Sequence, residues 1–211
     1  MLNTLLKEGS PEVRESYKLF LQSLKHDFYK TDRCVINGAF IIAINAHKGQ
    51  ARKVDKLPYI THPLTVATKL SKYIFPAKVI AAALVHDVLE DTDYPECRIK
   101  EKLGTGILSI VKSVTNNNTL TWEDKKLLYI ESVKNGPDEA KAVCAADKIH
   151  NFECLLINNK KYGPSMWDSF KRGKEKQLWY NREVLKMLKE SWQHPLINEY
   201  EILLKRGSEL E

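Results

Sequence analysis

Turn-making residues are scarce in this chain. Its 211 residues include 9 glycines and 8 prolines, each about 4% where average proteins carry roughly 7% and 5%. All-β folds need more of both, so the shortage points to helices. Cysteine is also sparse. Cys34, Cys97, Cys144 and Cys154 form no CxxC pair and no closely spaced framework. That excludes a disulfide scaffold and leaves reduced thiols of a cytosolic protein as the expectation. Long apolar runs are missing: the longest, Phe40 to Ile44 and Val79 to Val85, fall far short of the ~20 residues of a membrane span. The opening MLNTLLKEGSPEV has an apolar stretch too short for a signal peptide, with no small-residue cleavage site after it. Together these absences predict a soluble, cytoplasmic protein without membrane attachment. No internal repeat, low-complexity tract or domain-scale linker divides the sequence.

What is present is an ordinary globular balance, 43% hydrophobic and 28% charged, over a length that suits one domain spanning 1–211. Folding at that size buries roughly 70% of the unfolded surface, so no metal or disulfide staple is needed for stability. The net charge of +6 fits an anionic ligand, a nucleic acid or plain surface solvation. Nucleic acid is not the expected partner, because the basic residues are not clustered along one helix with interleaved aromatics.

Helical signals run through the chain. Ser10 and Pro11 read as N-cap and first helical residue, with Val13, Tyr17, Phe20, Leu21 and Leu24 following at helical spacing. A second helix is expected from Asp32 to near Gly49, then an extended polar loop over residues 50–61, since Leu57 precedes Pro58. Pro63 marks another helix start. Pro76 opens a segment, VIAAALVHDVLED, that is apolar almost all round and belongs at the centre of the fold as one helix. Short helices are expected through Leu103 and from Ile107 to Val114, one from about Glu123 to Lys134, and one holding EAKAVCAADKIHNFECLL. Amphipathic segments around Leu178 to Leu188 and Ile197 to Leu204, within 174–207, complete an all-α fold.

The chemistry shows as polar residues set into apolar helices. His86, Asp87, Glu90 and Asp91 interrupt the run that begins at Val79, and buried ionisable groups are costly unless they pair or bind metal. On a continuous helix His86 and Glu90, and likewise Asp87 and Asp91, share a face. Asp147 follows Val143, Cys144, Ala145 and Ala146, with Asn151 four residues on, while His150 points off that face and reads as packing. His62 precedes a proline in PYITHP. Each has a plainer role taken singly: Glu90 and Asp91 as solvated charges where a helix surfaces, Asp147 as a cap or arginine partner, His62 as structural. Jointly His62, His86, Asp87 and Asp147 make a mixed imidazole and carboxylate set. Such a set suits Mn²⁺, Fe²⁺ or Zn²⁺, unlike a thiolate-type structural zinc site, and its carboxylates favour the harder Mn²⁺.

The order His…His-Asp…Asp resembles the HD superfamily of metal-dependent phosphohydrolases. More narrowly, AHKGQARK, PYITHP, ALVHDVLEDT, KLGTGI, SVT and ADKIHN follow the order found in the hydrolase domain of RelA/SpoT-type proteins, over roughly Ala39 to Leu156. The resemblance implies a helical HD bundle whose central helix carries the motif, a divalent metal (Mn²⁺, with Fe²⁺, Zn²⁺ or Mg²⁺ as alternatives) held by His62, His86, Asp87 and Asp147, and a small-molecule nucleotide substrate. It further implies Glu90 and Asp91 as the pair that positions and deprotonates water, Arg52 and Lys53 beside the nucleotide, and Asn151 near ribose or phosphates. On the residues alone, solvated loop charges are the default reading of Arg52 and Lys53. The implied reaction is removal of the 3′-pyrophosphate from ppGpp by a hydrolase-only chain, without the synthetase, TGS and ACT domains of long RelA/SpoT proteins. The chain departs from the pattern at VDKL, which replaces a usual glycine before PYI, at Asn116, where a lysine is common, and at Lys148, where arginine is commoner. The departures keep other substrates open: a nucleoside monophosphate, a cyclic nucleotide or NADPH, or nucleotide binding without turnover.

Overall fold

Why the chain makes so many short helices is visible in its caps. Ser10 with Pro11 opens α1 (Pro11–Ser23). Tyr29 precedes α2 (Lys30–Ala46), where Asp32 is the third residue and its carboxylate accepts the Tyr29 backbone N–H at 3.2 Å. Asp32 thus caps the helix from inside, and the helix starts two residues before the expected point. Next come α3 (Thr61–Lys72), α4 (Ala77–Leu84), α5 (Val88–Asp91), α6 (Glu96–Leu103) and α7 (Thr105–Ser113). Then α8 (Trp122–Asn135), capped by Thr121 Oγ1 on the Asp124 N–H, leads through Gly136 and Pro137 to α9 (Asp138–Tyr162). A 3₁₀ turn over Pro164–Ser169, which periodicity did not indicate, precedes α10 (Gly173–Ser191) and α11 (Pro195–Ser208). This computed structural model describes residues 10–24 and 28–208. Residues 1–9, part of the stretch read for a signal peptide, lie outside them.

The fold class is all-α, as expected. Among the described residues there is no strand, and one antiparallel bridge, Ala51 with Pro58, closes the loop after α2 into a hairpin instead of an extended connection. Arg52 N–H donates to Leu57 O (2.7 Å) and Tyr59 N–H to Gln50 O (3.0 Å). The turn lies in VDKL, with Lys56 at φ 60°. A lysine there accepts the left-handed backbone that glycine takes freely, and its Nζ donates to Lys53 O at 2.8 Å.

α4 is the centre. Val79 through Leu84 are entirely buried, with α2, α3, α7 and α9 packed around the helix. α9 contributes a second buried stretch, Ala140 to Ile149, and α11 lies along it. No helix among the described residues is long and apolar enough to cross a membrane.

The expected single helix through VIAAALVHDVLED is broken. α4 ends at Leu84 and α5 starts at Val88, with Val85, His86 and Asp87 forming turns between them. Val85 N–H reaches back to Ala82 O and Val88 N–H to Val85 O, both at 3.1 Å, while His86 Nδ1 takes Ala83 O at 2.8 Å. The imidazole itself satisfies a carbonyl at the helix end, which lets the chain leave the α path inside a dry core.

Candidate metal centre and substrate cavity

Three elements meet at this break. His62 stands in the first turn of α3, fixed by its own N–H to Tyr59 O (2.9 Å) and by Thr61 Oγ1 to Pro58 O (2.8 Å). His86 and Asp87 come from the turn after α4, and Asp147 from the middle of α9. His62 Nε2 lies 3.2 Å from His86 Nε2, 3.1 Å from Asp147 Oδ1 and 3.4 Å from Asp87 Oδ2. His86 Nε2 lies 3.2 Å from Asp87 Oδ2 and 3.7 Å from Asp147 Oδ1. The facing donor atoms of His62, His86 and Asp87 all lie within 4.8 Å of one another.

These residues fit a divalent ion. Ligand atoms ~2.1 Å from an ion and at right angles around it are about 3.0 Å apart, close to most of these spacings. In neutral His86, donation of Nδ1–H to Ala83 O leaves the Nε2 lone pair facing inward. The field asks for positive charge as well. Burial opposes the charged form of His86, yet Asp87 and Asp147 push its pKa up to about 9. Burial likewise opposes ionisation of Asp87 and Asp147, but His86 and His62 beside the first, and Lys148 with both histidines beside the second, hold them below the usual carboxylate range. Asp147 is further held by Asn151 Nδ2 on Oδ1 (2.5 Å) and Lys148 Nζ on Oδ2 (2.6 Å).

Of the two pairs expected to share a face, Asp87 and Asp91 do so despite the break, with Asp91 N–H donating to Asp87 O at 2.9 Å, while Glu90 turns to the loop after α7. Glu90 Oε2 accepts the Asn116 backbone N–H (2.9 Å) and its Nδ2 (2.8 Å). Asn116, expected as a lost phosphate contact, instead fastens Glu90 to the loop after α7. Asp91 Oδ2 meets the Tyr59 hydroxyl at 2.7 Å, and the same hydroxyl lies 2.7 Å from Asp87 Oδ2. Burial and the nearby Asp87 raise the Asp91 pKa to about 6, against the hydrogen bond from Tyr59. Tyr59 itself is pushed up by burial and by both aspartates, so it stays a phenol.

A cavity of about 360 Å³ opens over this centre, lined by His62, Asp87 and Asp147 and by both Glu90 and Asp91. Its walls also carry Arg52, Lys53, Asn151, Lys126 and Lys148, with aromatic rings at Tyr59, Trp122, Tyr129, Phe170 and Tyr180. Arg52 Nε is 3.6 Å from Asp55 Oδ2, and Lys53 Nζ lies over the Phe170 ring at 5.3 Å. Every residue singled out from the sequence except His86 therefore lines one cavity, and His86 lies buried behind it against His62 and Asp87. Several that matter were missed. Lys126, on α8, faces the cavity over the Tyr180 ring at 4.6 Å. His47 donates Nδ1–H to Gln50 Oε1 (2.8 Å) and stacks on Tyr59 at 4.6 Å, while Gln50 Nε2 donates to Asp91 O (2.8 Å). His150, read as packing, turns its Nδ1 to His62 Nδ1 at 2.7 Å. The AHKGQARK stretch held the signal for His47 and Gln50. Nothing local marked Lys126, one of many helix lysines.

The HD domain family matches residues 39–161. Guanosine-3′,5′-bis(diphosphate) 3′-pyrophosphohydrolase MESH1 of Xenopus tropicalis is 37% identical over 162 residues, covering 75% of this chain and 87% of that protein. The Drosophila melanogaster MESH1 is 33% identical over 129 residues, 60% of this chain and 70% of that protein. In three dimensions the chain is similar to a metazoan ortholog of SpoT that hydrolyses ppGpp, with TM-score 0.72 and 26% identity over 84% of this chain and 97% of that one.

Proposed function

The chain belongs to the HD domain family and, within it, to the guanosine-3′,5′-bis(diphosphate) 3′-pyrophosphohydrolases typified by MESH1, and on that premise we propose that it hydrolyses the 3′-pyrophosphate of ppGpp with Mn²⁺ at the centre formed by His62, His86, Asp87 and Asp147. The observation that carries this reading is the gathering of those four donor groups, from three separate elements, with His62, Asp87 and Asp147 on the wall of a cation-lined cavity and His86 buried against them. A divalent ion bound there supplies Lewis acidity toward a phosphoryl oxygen and lowers the pKa of a neighbouring water.

The chain's own residues do the rest. Asp91, raised toward neutrality and hydrogen-bonded by Tyr59, is placed to accept a proton from attacking water. Glu90, clamped by Asn116 and lining the same cavity, orients that water. Arg52 and Lys53 take the phosphates of the nucleotide on the rim near Phe170. Lys126 and Lys148 balance negative charge on the α8 and α9 side, where partial exclusion of water strengthens each contact. Asn151 keeps Asp147 aimed at the centre.

The test is release of pyrophosphate from ppGpp by the Mn²⁺-loaded protein, beside GTP, a nucleoside monophosphate, a cyclic nucleotide and NADPH. Pyrophosphate from ppGpp, lost in Asp87→Ala and Asp147→Ala, is the expected result. Retained turnover in those variants overturns the centre, and orthophosphate from another substrate without pyrophosphate from ppGpp overturns the substrate.

A further inference from the structure

If His62 gives Nε2 to an ion, its other ring nitrogen must be satisfied inside the protein. His62 Nδ1 lies 2.7 Å from His150 Nδ1, with the ring centroids 4.9 Å apart and the ring planes only 19° from parallel. His150 Nε2 in turn lies 3.5 Å from Cys154 Sγ, one helical turn further along α9. Two imidazole nitrogens facing at that distance need one proton between them, so the tautomers are not independent. With the Nε2 lone pair of neutral His62 turned toward an ion, its proton sits on Nδ1 and is donated to His150. His150 then accepts at Nδ1 and, being neutral, carries its proton on Nε2. The acceptor standing there is the Cys154 sulfur.

We propose that His150 is a positioning residue for the metal centre, and that the chain His62–His150–Cys154 holds His62 in the tautomer that binds metal. This rests on the ligand reading of His62 given above. It ties metal affinity to Cys154, whose thiol lines the substrate cavity, so the two ends of the chain face the ion and the substrate. An acceptor for the second nitrogen of a metal-bound histidine is worth about 10- to 100-fold in metal affinity.

The experiment measures Mn²⁺ affinity of the full chain by chelator competition, with the melting midpoint of the chelated protein as the control for folding. His150→Leu is expected to weaken Mn²⁺ binding about 10- to 100-fold while the chelated protein melts near the wild-type midpoint. Wild-type affinity in His150→Leu overturns the proposal. Should that variant not fold, the Cys154 pair decides: Cys154→Ser retains an acceptor and keeps affinity, Cys154→Ala lowers it, and equal affinities overturn the proposal. His86→Ala and Asp87→Ala run beside them. If those two bind Mn²⁺ normally, the ligand reading fails. If they lose Mn²⁺ while His150→Leu keeps it, the positioning role alone fails.

Discussion

Lys126 is a charge held where charge is costly. Among the described residues its contacts are the neutral Asn116 Oδ1 at 3.4 Å and the Tyr180 ring, with no carboxylate in ion-pair range. Burial first, then the Lys148 and Lys125 ammonium groups, lower its pKa to about 8, with Glu90 and Asp147 pulling the other way. On the function proposed above, an anionic substrate is the partner expected for such a lysine. The charged form exists below that pKa and disappears as pH rises through it, so kcat/KM toward ppGpp is expected to fall above about pH 8. Lys126→Met should lower kcat/KM at neutral pH about 10- to 100-fold, the worth of one hydrogen bond to a charged group, and flatten that fall. Lys126→Arg should keep activity and carry the fall to higher pH. A pH profile of kcat/KM for the three proteins checks this; an identical alkaline limb in all three removes Lys126 from substrate binding. Asp91 yields a prediction of a different kind. Asp91→Asn keeps the size and the contact with Tyr59 but cannot take a proton, so kcat should drop about 10²- to 10⁴-fold with Mn²⁺ affinity little changed, as single-turnover kinetics and a metal titration would report.

Among the elements, α9 has the most to do, since it carries Asp147, His150 and Asn151 on one side and takes α11 on another. The contact with α11 is tight at Gly207, where an added Cβ would run into the Phe152 ring. Phe152 is 1% exposed and sits next to Asn151, so it has little room to retreat. Gly207→Ala is expected to cost about 1–3 kcal/mol through overpacking, read as a lower urea midpoint at unchanged slope. The helices themselves were legible: apolar spacing and the Ser10-Pro11 and Gly136-Pro137 punctuation located α1 and the α8–α9 junction to within a residue or two. The break between α4 and α5 was not. Periodicity cannot show a break where residues on both sides are apolar all round, and Val85, His86 and Asp87 carry no glycine or proline. Yet the site depends on it. Neighbours on an α-helix point about 100° apart, whereas His86 and Asp87 here bring donor atoms within 3.2 Å. The candidate ligands could be picked out because buried charge is rare in sequence as well as in structure. Tyr59, Lys126 and His150 could not, because their roles depend on which side chain lies opposite, and no spacing along one element contains that.

At the scale of the whole molecule the proposed centre would act as a clasp once an ion is bound. Its donors come from α3, from the turn after α4 and from α9, separated by up to 85 residues between His62 and Asp147. An unfolded chain does not hold those four groups together, so an ion that binds the folded form alone stabilises it by mass action, about 2.7 kcal/mol at a hundredfold excess over Kd. For a chain of this length each kcal/mol moves the midpoint by about 2–4 °C, which puts the expected rise at about 5–10 °C when Mn²⁺ replaces chelator. Asp87→Ala and Asp147→Ala should fold yet show no such rise, because each removes a donor while α4 and the apolar face of α9 stay packed. Gly207→Ala should show the full rise from a lower baseline, since its defect lies on the α11 side of α9 and leaves the donors in place. Differential scanning calorimetry of the four proteins, with Mn²⁺ and with EDTA, separates these cases. A wild-type midpoint unmoved by Mn²⁺ would mean that no ion ties the three elements together, whatever the chain does to ppGpp.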